Sequence, residues 1–191
     1  DAVDQGYRWD QAVTTFDSLG GTFLAVNTAI AESLSDPQAA SQLRTESALA
    51  TYKAVLARQG GLLTGAAAGK GFDTEQRYQL LGDSVRDEGN AAALLANVAD
   101  ARTKGSVRDA LASEAHLNLA DVRDRAVKAG LGGDFGAEGP EVAADTRSTV
   151  KELHAVESAN LSALIATAGD AASTADKASK LFLVAALVAV I

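Results

Sequence analysis

The stretch DPQAASQLRTESALATYKAVLARQGGLLTGAAAGKGF, Asp36 to Phe72, decides how the rest of the chain is read. Along it Leu43, Leu49, Tyr52, Val55, Leu56, Leu62, Leu63 and Ala66 recur at helical spacing, so one face of an α-helix is apolar. Asp36 supplies a side-chain acceptor for the first free amides, and Pro37 stands where a missing N–H costs nothing, which fixes the start. Gly69-Lys70-Gly71 ends the helix, since glycine tolerates the left-handed turn in which helices close.

Working outward, the same period runs through Trp9, Val13, Phe16, Leu19, Phe23, Val26, Ile30 and Leu34, which predicts a preceding helix. On the other side, Asp73 followed by Gln76 reads as a capping box that starts a third helix bearing Tyr78, Leu81, Val85, Leu95 and Val98. Gly105-Ser106 is expected to break or bend the chain before a fourth segment with Val107, Leu111, Leu119, Val122 and Val127, which stops at Gly130. Residues 131–140, LGGDFGAEGP, hold four glycines and a proline and read as a mobile loop tip.

After Pro140 no further proline occurs, so a single helix of about fifty residues, roughly 75 Å long, is predicted to run to Ile191. Leu161, Leu164, Ala168, Ala171, Ala175, Ala178 and Phe182 mark a heptad seam along it, as in a coiled-coil stalk. From Leu181 to Ile191 every residue is apolar, with Lys177 and Lys180 just ahead, where amines reach headgroups. Eleven such residues fall short of the roughly twenty that span a bilayer core, and the run reads as the truncated start of a membrane helix. The fold class is therefore all-α: an elongated up-and-down helical bundle, residues 1–180, with a long C-terminal stalk helix leading into a membrane span that begins at 181–191.

Composition agrees with helices, because alanine dominates an apolar fraction of 47% while aromatics make up only 5%. A net charge of −8 argues against nucleic acid, which needs a dense basic face. With no cysteine, thiolate nucleophiles and sulfur-ligated metals are absent. His116 and His154 lie in different segments without a partner at metal-ligating spacing, and no G-x-S-x-G elbow occurs. Gly65 to Gly71 lacks the first glycine and the Ser or Thr of a phosphate loop and reads as a helix end. No catalytic residue, metal or cofactor is expected.

Arg58 and Gln59 are the exception to this plainness, since they sit mid-helix beside Gly60-Gly61, two residues that each lower helix propensity by about 1 kcal/mol. Either a neighbouring helix packs closely against the glycines, or a small anion or other ligand enters there with Arg58 and Gln59 as donors. Arg44 and Arg77, with Arg86, are further positive groups that a ligand site would draw on if they point inward.

On the segment from Leu34 to Phe72, with Glu46, Arg58, Leu62 and Leu63, and on the last helix with Leu153, Val156 and Glu157, the chain resembles the nitrate- and nitrite-sensing domain family. These are all-helical extracytoplasmic modules of many actinobacterial sensor histidine kinases, including those of the conservon type. The family's Glu-Arg pair, whose arginine contacts the anion, falls on Gln59-Gly60 here, with Arg58 adjacent. The resemblance implies a non-enzymatic signal-input domain at the cell membrane, passing a ligand or partner signal by helix displacement to a cytoplasmic kinase. A homodimer through the C-terminal helix is the expected assembly. The rival expectation is a membrane-anchored interaction or dimerisation module without a small ligand. A chemotaxis-receptor bundle would share the layout, and an enzyme comes last.

Overall fold

Asp36 opens the first long helix as its chemistry requires: Oδ1 accepts from the amides of Gln38 at 2.9 Å and Ala39 at 3.4 Å, a cap worth about 1 kcal/mol. In the computed structural model, which describes residues 29–34 and 36–174, this helix is α1 (Pro37–Ala68). It is followed by α2 (Glu75–Val98), α3 (Ala101–Leu111), α4 (Glu114–Ala129) and α5 (Gly139–Thr174). Residues 29–33 are also helical, and no strand occurs among the described residues. The fold class is all-α.

The end of α1 is a closed C-cap. Lys70, at φ 58°, is the left-handed residue; its amide donates to Ala67 O at 3.2 Å, and that of Gly71 donates to Ala66 O at 2.8 Å. Gly71, at φ 138°, faces Gly133 so closely that a Cβ there would lie 2.8 Å from the Gly133 carbonyl. One residue on, Phe72 O accepts from Gly132 N at 3.0 Å. The glycine-rich loop is therefore pinned to the end of α1 and is not the free tip its composition suggests. Phe135 is buried and stacks on Phe72 with centroids 6.4 Å apart, while Arg125 Nη1 donates to the carbonyls of Phe135 and Gly136 at 2.6 and 2.8 Å.

Two helix boundaries differ from the sequence expectation. The cap of α2 is Thr74, one residue after Asp73, and Asp73 instead receives the Arg77 guanidinium. Gly105-Ser106 lies inside α3, and the breaks fall on either side, where Asp100 Oδ1 accepts from Thr103 N at 2.7 Å and Ser113 Oγ from His116 N at 3.4 Å. Side-chain capping sets these boundaries; an internal glycine costs only about 1 kcal/mol and is absorbed.

Ala48–Ala159 form one compact unit, and the flanking segments belong to a second. The first holds two cores. One gathers Leu63, Phe72, Leu81, Leu119, Val122, Ala126, Phe135 and Val142; the other gathers Leu49, Tyr52, Leu56, Ala91, Leu95, Val107 and Leu153. In the second unit, Ala31, Ala39, Leu43 and Leu164 pack together with Ile30, Leu34 and Leu161 alongside. Of the stripe that defined α1, Leu43, Leu49, Tyr52, Leu56, Leu62, Leu63 and Ala66 are all buried.

Helix α5 is continuous for 36 residues, straight through Gly169. Its first two seam positions, Leu161 and Leu164, are engaged in the core just described. The stripe from Trp9 to Val26, the seam from Ala175 onward, Lys177, Lys180 and the apolar run 181–191 lie outside the described residues. Among the described residues no helix is long and apolar enough to cross a membrane.

Candidate functional site

Gly60 resolves one of the two sequence alternatives. A Cβ there would lie 2.7 Å from Thr146 Cβ and closer still to its Oγ1 and Cγ2, so α5 packs against α1 at a distance only glycine permits. Gly61 faces open space. The neighbouring Gln59 points the other way and is 1% exposed. Its Nε2 donates to Ser84 O at 3.0 Å and to Glu88 Oε2 at 2.9 Å, as a buried amide must if it is not to cost about 1–3 kcal/mol.

Glu88 is the centre of this cluster. The same Oε2 accepts from Arg123 Nη1 at 2.7 Å, so one carboxylate joins α1, α2 and α4. Tyr52, two turns before Gln59, has its hydroxyl pKa pushed up to about 12, first by burial and then by the negative field of Glu88 and a hydrogen bond to it, with Arg123 opposing. His116 lies in the same field. Burial holds its pKa below the ordinary 6.5, against the pull of Glu88 and Glu152 and with the push of Arg123. Arg58, beside Gln59, donates through Nη2 to Asp87 Oδ2 at 2.7 Å.

The structure thus brings Arg58 and Gln59 to one polar patch of the bundle, and there each arginine already holds a carboxylate. Arg77 stands elsewhere, at the start of α2, ten residues or about 15 Å along the helix from Asp87, and is paired with Asp73 at 2.8 Å. Arg44 is exposed on α1 within the other unit, and Arg86 pairs with Asp83 at the surface.

From the sequence Tyr52 reads only as a core position and His116 only as a histidine without a metal-ligating partner, and Glu88 and Arg123 are not singled out, although the signal is there. Leu81, Ser84, Glu88, Ala91 and Leu95 share one face of α2, and His116, Leu119, Arg123 and Ala126 share one face of α4. A charged residue in register with an apolar stripe is placed against the core and must find a partner there.

Two other polar groupings complete the unit. Glu157, 7% exposed, accepts through Oε2 from Lys53 of α1 and lies 2.7 Å from His154 Nδ1, which ties α5 to α1. Between α4 and α5, Asn118, Asp121, Arg125, Glu141 and Asp145 line an open groove of about 150 Å³. No group of side chains able to hold a metal ion occurs among the described residues.

The family model described as nitrate and nitrite sensing matches residues 1–177. The chain belongs to that family. No curated protein and no solved structure matches it. As a nitrate and nitrite sensing domain, the chain puts most of the positions that carry the resemblance to structural use. Glu46 is buried and accepts from Asn160 Nδ2 at 3.0 Å, while Leu62, Leu63 and Leu153 are core residues and Glu157 is the α1–α5 tie. Arg58 is the arginine next to Gln59-Gly60, and its partner is Asp87.

Proposed function

We propose that this sensing domain is the extracytoplasmic signal-input module of a membrane-bound sensor histidine kinase, and that it works by displacing helices. The observation that carries the reading is the Glu88 carboxylate shared by Gln59 and Arg123, because it makes the seating of α2 depend on which anion the donors hold. A small anion that competes with Glu88 for Arg123, or with Asp87 for Arg58, releases α2 from its neighbours. Such a ligand shifts the balance of two helix arrangements only by its difference in affinity for them. Displacements of about 1–2 Å suffice in interfaces of this kind. The module is proposed to act as a homodimer through its C-terminal helix, held to the membrane by that helix, without nucleic acid as a partner.

Thermal unfolding of the chain with nitrate, nitrite and chloride tests the ligand step. At 100 times the dissociation constant a bound anion adds about 2.7 kcal/mol of stability. The stabilisation is expected with nitrate or nitrite, is lost in Arg58→Ala or Arg123→Ala, and is accompanied by altered exchange of α2 amides. Absence of any anion-specific shift would sink the ligand step. One observation favours the second reading, an interaction module without a small ligand: both arginines of the cluster are already neutralised by Asp87 and Glu88. The kinase assignment is tested separately, by whether a kinase catalytic region follows this domain in the parent protein.

A further inference from the structure

His116 occupies the first turn of α4, three residues after the capping Ser113, and its Nδ1 is buried without a hydrogen-bond partner. A neutral imidazole tolerates this, since it carries no net charge into the interior. An imidazolium does not, for three reasons. Its Nδ1–H needs an acceptor, the amino end of a helix disfavours positive charge, and Arg123 stands seven residues further along the same helix. The charged groups that act on it from the surrounding elements are Glu88 on α2, Glu152 on α5 and Arg123 on α4, with Tyr52 on α1 linked to it through Glu88. Of these, only the two carboxylates favour the protonated ring.

We propose that His116 is a proton-operated switch: on protonation it draws the Glu88 carboxylate away from Arg123 and Gln59, and so loosens α2 from α1 and α4. The backbone positions of His116 and Arg123 are two helical turns apart, about 10 Å along α4, and in the switch the carboxylate exchanges the guanidinium for the imidazolium. The Glu88 oxygen that accepts from Arg123 also accepts from Gln59, and the two bonds are lost together. The linkage has a definite sign. A histidine whose folded-state pKa lies below its unfolded value contributes stability that is present above about pH 6.5 and is lost as pH falls from there toward the folded pKa. One such group lowers the folded-to-unfolded ratio by at most about tenfold per pH unit in that window. This input is additional to the small-anion step and does not depend on it.

The test follows the Cε1–H signals of both histidines and the amides of Ser84 to Ala91 and Leu119 to Ala126 by NMR, on the whole chain, between pH 8 and pH 5. Expected is a His116 midpoint below 6.5, with the α2 and α4 amides shifting at that same midpoint. His116→Gln removes the amide transition, while His154→Gln leaves it in place. Amides of α2 that ignore the His116 titration, or a transition that persists in His116→Gln, overturn the switch. Should His116→Gln not fold, Glu88→Gln decides. Without the carboxylate the His116 midpoint falls further and the α2 amides no longer follow it, whereas an unchanged or raised midpoint overturns the proposal.

Discussion

Gly60 and Gly61 look alike in the sequence and differ in the fold by what lies over them. A methyl at Gly60 runs into the Cβ of Thr146, whose hydroxyl is itself fixed to Val142 O at 2.7 Å, so neither the side chain nor the helix behind it yields cheaply. Gly60→Ala is expected to destabilise the chain by about 1–3 kcal/mol, the usual cost of overpacking. Gly61→Ala meets nothing within 4 Å and should stabilise by about 0.5–1 kcal/mol, because alanine has less backbone freedom than glycine to lose on folding. Urea midpoints of the two variants moving in the same direction would show that the α1–α5 contact is not as tight as drawn. At this scale the sequence revealed that the pair was unusual, and Arg58 and Gln59 with it. It did not reveal that Glu88 and Arg123 pair, because register with an apolar stripe marks each as facing the core but does not say which partner another helix supplies.

At the scale of the element, periodicity was legible and punctuation less so. The apolar stripe of α1 went into the core almost residue for residue, since burial of one face is what a 3.6-residue period encodes. No break falls at Gly105-Ser106, because an aspartate and a serine outcompete a glycine for ending and starting helices. Neither Asp100 nor Ser113 has a Glu or Gln three residues on to advertise the cap. Asp100 carries the clearest electrostatic consequence. Its carboxyl is held below 3.8, chiefly by the backbone amide of Thr103 and then by that residue's hydroxyl, with burial opposing. A carboxyl with a depressed folded pKa contributes stability that is present above about pH 3.8 and is lost as pH falls through the folded value. Asp100→Asn keeps a capping oxygen without the titration. The difference in Tm between wild type and Asp100→Asn should therefore shrink on going from pH 7 to pH 2, and a difference that stays constant would remove Thr103 as the cause.

At the scale of the whole molecule, the all-α class is legible from alanine-rich periodicity, and the described residues agree with it in five long helices and no strand. The membrane reading rests on sequence chemistry alone, and a clean experiment is available for it. Leu181 to Ile191 contains no charged residue, so a chain ending at Lys180 has the same net charge of −8 as the full 191 residues. The two differ only in apolar surface. Eleven apolar residues cannot span a core of about 30 Å, yet burying even a few leucine, valine and phenylalanine side chains at about 1.5–3 kcal/mol each outweighs the weak repulsion a zwitterionic surface offers an acidic domain. Sedimentation with phosphatidylcholine vesicles should therefore carry down the full chain and leave the chain ending at Lys180 in the supernatant. Equal recovery of both would mean that 181–191 is already buried within the protein or its oligomer, and the proposed route from sensing bundle to membrane would have to be abandoned.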